Sequence, residues 1–150
     1  MNSGKRSEKV SPTTSARMKR VRRQGTDLEL LVRRYLWQQG VRFSVNTRGL
    51  PGSPDIANRR RRWAVFINGC FWHGHEGCGL ARLPNTNRAF WSRKVDDNRR
   101  RDAAKVKQLR AQGFLVITVW GCEIKHLVKT GHSSVLNRFV RKLKSRPPSN

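Results

Sequence analysis

Apolar residues recur at helical spacing in three segments of the chain. The first segment opens with the capping-box pattern of Thr26 to Glu29 and ends at Gly40. The second runs from about Asn87 to Gln112, and the third follows Ser133, a residue suited to cap a helix. The positions predicted to face inward are Leu28, Leu31, Val32, Tyr35 and Leu36 in the first helix, Trp91, Val95, Asp102, Val106 and Leu109 in the second, and Val135, Leu136, Phe139, Val140 and Leu143 in the third.

Between these helices the apolar residues follow the patterns of strands. The segment 41–45 alternates, 55–57 is a short extended piece after a turn at 50–54, and 62–67 follows a tight basic hairpin. The continuous apolar run 114–120 is typical of a strand covered on both faces. Residues 68–87 form a long loop, which in a compact domain usually has a function. This order of elements predicts an α/β fold with a mixed sheet.

The charge of the chain indicates its type of partner. The 150 residues include 33 Lys and Arg but only 9 Asp and Glu, which gives a net charge of +24. Such an excess predicts a polyanionic partner, with nucleic acid ahead of an anionic membrane, because no apolar run reaches the ~18 residues of a membrane span. Residues 1–24 also lack the apolar stretch of a signal peptide, so we expect an intracellular protein.

Charge and composition also suggest how the chain is divided. Residues 1–25 contain eight Lys or Arg, one acidic residue and almost nothing to bury, which predicts a disordered basic arm. Residues 26–145 are then one domain, and 146–150 a disordered tail. The arginine runs Arg59 to Arg62 and Arg99 to Arg101 are expected to contact phosphate.

The cysteines suggest a metal site. Cys70 and Cys78 lie in the long loop, and Cys122 follows the last strand, so all three cysteines can converge. Together with His73 or His75 they supply the three Cys and one His common in structural zinc sites. The spacing does not match a C-x-x-C finger, and in the alternative interpretation Cys122 is an apolar filler and the histidines are solvated.

Four motifs resemble the very short patch repair (Vsr-type) endonucleases, over about Thr26 to Ile124. They are Pro54-Asp55, the run FINGCFWH from Phe66 to His73, Asn87 to Trp91, and Val119-Trp120 followed by Cys122. These bacterial enzymes have a three-layer fold similar to the PD-(D/E)XK-type restriction endonucleases. The resemblance implies a nick 5′ to the thymine of a T·G mismatch left by deamination of 5-methylcytosine, in a reaction that needs Mg²⁺, with zinc as a structural ion.

The resemblance also implies roles for individual residues. Asp55 corresponds to the Mg²⁺ ligand, beside the main-chain carbonyl of Ile67, and His73 to the histidine that activates water. Glu29 corresponds to an acidic residue of the first helix, and Asn68 stands at a further catalytic position. The zinc ligands would be Cys70, His75, Cys78 and Cys122. The aromatic residues that wedge into the base stack would be Phe71, Trp72 and Trp91.

Each role has a structural alternative in the sequence. Asp55 can simply end a turn, Glu29 can cap its helix, a loop histidine is more often inert, and Trp91 can belong to the core. Ile67 and Asn68 also replace a threonine and a histidine of well-known members, and the spacing from His75 to Cys78 is one residue longer.

The competing functions are a restriction-like or defence nuclease of the same fold and a DNA-binding module that has lost catalysis. For the mismatch nickase we expect a monomeric, cytoplasmic, nucleoid-associated bacterial protein that binds duplex DNA with a T·G mismatch. Accessory mismatch-repair proteins are candidate further partners.

Overall fold

The computed structural model describes residues 12–45 and 47–147. Within them, four strands and four helices follow one another along the chain. They are α1 (Pro12–Gln38), β1 (Ser44–Val45), β2 (Ile56–Asn58), β3 (Trp63–Asn68), α2 (Arg88–Ala111), β4 (Leu115–Trp120), α3 (Gly121–Thr130) and α4 (Ser134–Ser145), with a short 3₁₀ turn at Gly79–Ala81 in the long loop.

The strands form one sheet, which is mixed as the sequence predicts, and their order in it is β1-β2-β3-β4. The pairs β1–β2 and β2–β3 are antiparallel, and β4 lies parallel to β3 with Ile67 opposite Val119. Because β3 and β4 are parallel, their last residues, Asn68 and Trp120, lie at the same end of the sheet. The start of β2 lies there too, so segments distant in sequence meet at this end.

Helices cover both faces of the sheet, giving three layers. On one face, the apolar stripes of α1 and α4 pack with Ile124 of α3 on Trp63, Val65 and Val119. On the other face, Leu109 of α2 packs on the opposite side of the same strands. The predicted inward stripes of the first and last helices are confirmed, with Val32, Leu36 and Leu136 fully buried. None of the helices in the described segments is long and apolar enough to cross a membrane.

The predicted start of the first helix is wrong. The first helix begins at Pro12 and not at Thr26, so residues 12–25 are helical and not irregular, while residues 1–11 lie outside the described residues. Proline suits the first turn of a helix, and Ala16 to Gln24 contains mostly strong helix formers, so the single Gly25, at about 1 kcal/mol, does not interrupt it. At the other end, α4 stops at Ser145, directly before the predicted tail. Arg146 donates hydrogen bonds to the carbonyls of Arg62 and Gly113, and residues 148–150 lie outside the described residues.

Two internal elements also differ from expectation. Helix α3 is not predicted, because it starts directly after β4 without a loop. The carboxylate of Glu123 accepts a hydrogen bond of 2.9 Å from the amide of Trp120 and thereby caps this helix. The first strand is shorter than the alternation over 41–45 suggests, because only Ser44 and Val45 pair with β2.

Candidate active site and metal centre

A pair of carboxyl groups lies where α1 approaches the sheet. Asp55 stands just before β2, and its Oδ2 accepts a hydrogen bond of 2.7 Å from the amide of Ile67 on β3. Glu29 on α1 interacts with Asp55 and holds Arg33 at 3.1 Å. The structure therefore brings Glu29, Asp55 and Ile67 together, although the contact to Ile67 is made through its amide.

Burial disfavours the ionised form of both Asp55 and Glu29. Burial raises the pKa of Asp55, although the hydrogen bond from Ile67 and the charges of His73 and Arg33 act against it. Burial, and then the charge of Asp55, raises the pKa of Glu29. Two adjacent carboxylates in a partly desolvated site repel each other, and a bound divalent cation would relieve that repulsion. Oxygen donors of this kind fit Mg²⁺.

A histidine and aspartate pair lies beside the carboxyl pair. His73 Nδ1 lies 2.5 Å from Oδ2 of Asp102, which α2 directs toward the sheet. Burial opposes ionisation of Asp102, but the hydrogen bond and charge of His73, followed by Lys105 at 3.5 Å, outweigh it and lower the pKa of Asp102. With Nδ1 engaged by a carboxylate, Nε2 is the nitrogen left to accept a proton.

The sequence does not indicate the contact of Asp102 with His73. It predicts only that Asp102 lies on the inward face of a helix. An acidic residue among Trp91, Val95, Val106 and Leu109 was the available signal, since a carboxylate rarely lies on an apolar face without a partner.

The His73–Asp102 pair opens into a cleft of about 520 Å³ between α2 and the ends of β3 and β4. His73, Asp102 and Asn68 line this cleft. Asn68 is only 7% exposed, so its amide can orient a water or a substrate oxygen but is not a free surface group. The predicted catalytic residues Asp55, His73, Glu29 and Asn68 therefore lie at one end of the sheet.

Four residues form a cluster that could hold a metal ion. The ligand atoms of Cys70, His75, Cys78 and Cys122 all lie within 4.8 Å of one another. His75 Nδ1 is 3.3 Å from the sulfur of Cys122 and 3.6 Å from that of Cys70. Of the two candidate histidines, His75 belongs to this cluster, while His73 is engaged by Asp102.

The environment of the thiols is consistent with a metal site. Burial raises the pKa of the Cys70 thiol to about 12, so without a cation it stays protonated. A metal ion would displace that proton, and three thiolates with one imidazole form a donor set typical of zinc.

Neighbouring residues hold the ligands in place. The ring of Trp120 stacks on His75 with 4.2 Å between centroids and 4° between planes. Cys122 lies in the first turn of α3, the helix that Glu123 caps. Gly74, with φ of 58°, passes so close to α2 that a Cβ would lie 2.4 Å from Val95. No larger residue fits there without displacing the loop from the helix.

Aromatic side chains cluster on the other side of the loop. Phe71 and Trp72 are half-buried and pack edge to face at 5.4 Å, and both contact the ring of Trp91. Trp91 itself is only 4% exposed. The ring of Trp91 forms the base of the cluster, and its expected insertion between bases stays a prediction. The exposed Lys94 places its ammonium 5.7 Å from the Trp72 ring.

The arginine runs divide between structural and free side chains. Arg59 donates to the carbonyl of Arg48 and Arg61 to that of Leu143, while Arg100 pairs with Asp97. The guanidinium groups of Arg59 and Arg61 support the fold locally, whereas that of Arg100 lies in an exposed surface pair. Arg60 is exposed and has no such contact among the described residues. The expected phosphate contacts stay a prediction.

Comparisons with known proteins support one family. A family model described as DNA mismatch endonuclease Vsr matches residues 8–79. The chain is 44% identical over 110 residues to the type II nicking enzyme V.XorIIP of Xanthomonas oryzae pv. oryzae, covering 73% of this chain and 80% of the relative. It is 40% identical over 135 residues to V.NmeAIP of Neisseria meningitidis, covering 88% and 94%. It is 32% identical over 127 residues to the DNA mismatch endonuclease Vsr of Escherichia coli, covering 85% and 81%. Identities at this coverage show that the chain belongs to the Vsr family of DNA mismatch endonucleases.

Proposed function

We propose that this protein nicks one strand of duplex DNA 5′ to the thymine of a T·G mismatch that arises by deamination of 5-methylcytosine. The observation that carries the proposal is the convergence of the Glu29–Asp55 pair and the His73–Asp102 pair at one end of the sheet. The relatives' names support it, since two are called nicking enzymes and one a mismatch endonuclease.

Hydrolysis of a phosphodiester needs a nucleophilic water and a means to offset the charge on the phosphate. A Mg²⁺ ion bound by Asp55, with Glu29 beside it, would supply the positive charge on the phosphate oxygens. His73 would take the proton of the water through Nε2, while Asp102 holds the ring and stabilises the resulting imidazolium. Asn68 would orient the water from the wall of the cleft. Their arrangement at the carboxyl end of β3 and β4 is what a restriction-endonuclease-like PD-(D/E)XK core would provide.

We propose zinc as the structural ion of the cysteine cluster. The cluster ties the long loop to the first turn of α3 through Cys70 and Cys122, whose amide also donates to the Cys70 sulfur at 3.4 Å. The ion would thereby fix the segment that carries both His73 and the aromatic cluster. This role is structural because four protein ligands leave no open position.

Mismatch recognition would use the aromatic cluster. Phe71 and Trp72 are accessible in part and stand on the buried ring of Trp91. Inserting such rings between base pairs requires unstacking, which costs less at a mismatch than at a paired step. The same insertion would therefore favour T·G over paired duplex.

The alternative of a DNA-binding module that has lost catalysis has less support. Ile67 takes part through its amide, so the loss of a polar side chain there leaves the contact to Asp55 in place. The His73–Asp102 pair is also complete, which a purely binding protein would not need.

A nicking assay on duplexes that carry T·G or a paired T·A in several flanking sequences, with and without Mg²⁺, tests the proposal. We expect Mg²⁺-dependent nicking of the T·G strand, abolished by Asp55→Ala with DNA affinity equal or higher, because the change removes a negative charge. His73→Ala should retain binding and lose about 10²- to 10⁴-fold in rate, as loss of a general base typically does. Parental nicking by Asp55→Ala would show that the assigned site is wrong, and equal cleavage of all duplexes would favour the restriction-like nuclease.

A further inference from the structure

A basic surface lies at the end of the sheet opposite the candidate active site. It consists of Arg60 on the β2–β3 hairpin and Arg138, Arg141, Lys142 and Lys144 on α4, all of them exposed. Hairpin and helix are joined, because Arg61 donates a hydrogen bond of 2.8 Å to the carbonyl of Leu143. We call these five residues the distal basic surface.

The length of β3 separates this surface from the catalytic residues. The hairpin immediately precedes Trp63, the first residue of β3, whereas Asp55 is bonded to Ile67 near the last. At about 3.3 Å per residue, a strand of 6 residues spans roughly 20 Å. The two sites therefore lie at opposite ends of the strand.

The distal basic surface has no acidic counterpart. From Ile124 to the end, the sequence contains seven Lys or Arg and neither Asp nor Glu. Among the described residues, no ion pair involves any of the five side chains, although pairs occur on α1 and α2. These charges are therefore available to an external anion.

Helix stability alone does not account for these charges. Lys142 and Lys144 lie in the last turn of α4, where the helix dipole favours cations. Arg138, however, lies in the first half of α4 and is three and four residues from Arg141 and Lys142, a spacing at which like charges destabilise a helix. A partner that supplies negative charge would compensate for this repulsion.

We propose that the distal basic surface binds the phosphates of a second duplex segment, so that one protein molecule bridges two segments of DNA. The inference rests on the proposed function, in which the first segment occupies the catalytic end. A duplex that crosses the catalytic end transverse to the strands leaves the opposite end, roughly 20 Å away, free to contact another segment. From Arg138 to Lys144 the helix rises about 9 Å, which faces two to three phosphates of one strand.

Bridging would assist the search for rare mismatches. A protein held to DNA by phosphate contacts slides and hops along it, and a second phosphate-binding surface allows transfer between neighbouring segments. The active site alone would not provide this route.

The test uses the full-length protein, an immobilised T·G duplex and a labelled second duplex, without Mg²⁺ so that neither is cut. We expect the parent to capture the labelled duplex and the double variant Arg138→Gln/Arg141→Gln to capture about tenfold less, because two phosphate contacts are lost. Arg138→Lys/Arg141→Lys keeps the charge and should capture normally. Lys125→Gln/Lys129→Gln, two exposed lysines of α3, is the control for total charge and should also capture normally.

Nicking of a short T·G duplex separates this inference from the proposed function. The Arg138→Gln/Arg141→Gln variant should nick the short duplex within about twofold of the parent, because the altered residues lie far from the chemistry. Undiminished capture by this variant would overturn the inference and attribute bridging to residues elsewhere, such as the N-terminal basic residues. A loss of binding that depends only on the length of a single duplex would also overturn it, because the surface would then contact the flank of the nicked DNA.

Discussion

Replacing Asp102 with asparagine is the sharpest test of the His73–Asp102 pair. The change keeps the size of the side chain and removes its charge. The contact joins His73 Nδ1 and Asp102 Oδ2 at 2.5 Å. Both side chains are more than two thirds buried, with 27% of His73 and 21% of Asp102 exposed. A hydrogen bond to a charged group in such a position contributes roughly 1.5–3 kcal/mol. If that energy stabilises the imidazolium only as His73 takes up a proton, the barrier rises by the same amount.

Each 1.4 kcal/mol of barrier is about tenfold in rate, so Asp102→Asn should slow nicking by roughly 10- to 150-fold. The loss should be smaller than for His73→Ala, because the base is still present. The assay is single-turnover nicking of a T·G duplex at saturating enzyme, which separates the chemical step from binding. DNA affinity should be unchanged or slightly higher.

Asp97→Asn is the matched control. Asp97 lies on the same helix, five residues earlier, and pairs with Arg100 at the surface, so removing its charge should leave the nicking rate within about twofold. Equal rates for Asp102→Asn and the parent would show that His73 does not depend on its carboxylate partner. A loss as large as that of His73→Ala, with unchanged circular dichroism, would mean that Asp102 itself contacts the substrate or the metal.

Three further predictions concern other parts of the site. Because burial raises the pKa of Asp55, the protonated form favours folding, and this contribution to stability is lost as the pH rises through the raised pKa. Without added Mg²⁺, Asp55→Asn should therefore melt at a higher temperature than the parent at neutral pH, but show no such increase below pH 3.8. Equal melting temperatures of variant and parent at both pH values would contradict the burial argument. Elemental analysis of protein purified without chelator should find one zinc per chain, and Cys122→Ser should lower both zinc content and folded yield, with an absence of zinc in the parent refuting the assignment. Trp72→Ala should reduce the preference for T·G over paired duplex more than it reduces affinity for either, while equal losses on both would place Trp72 among the structural residues.

The sequence predicted the parts of the fold that depend on local patterns. Apolar stripes at helical spacing identified the inward faces of α1, α2 and α4, and the run 114–120 identified a strand covered on both faces. The start of α1 was missed because a helix without an apolar stripe shows no periodicity, and residues 12–25 offer none. Helix α3 was missed because no turn residue separates it from β4.

The sequence predicts less of the candidate active site, because the residues that contact one another there are far apart along the chain. His73 and Asp102 are 29 residues apart and meet only because α2 packs beside the end of β3. Composition alone left His73 and His75 equivalent as metal ligands. Geometry separates them, since the carboxylate of Asp102 engages one ring and the thiols surround the other.

The distribution of acidic residues connects the charge of the chain with its chemistry. A carboxylate near bound DNA repels the phosphates, so a protein with 9 acidic residues against 33 basic ones has little reason to place any of them at its substrate. Yet Glu29, Asp55 and Asp102 all lie at one end of the sheet, two of them with raised pKa values. Repulsion of this kind is tolerated where the carboxylates bind a cation or orient a base, because the bound metal or the protonated histidine then reverses the local charge. These three carboxyl groups lie at the end of the sheet that carries the aromatic cluster. On electrostatic grounds, and independently of any resemblance, this position indicates that DNA is cleaved there and not merely bound.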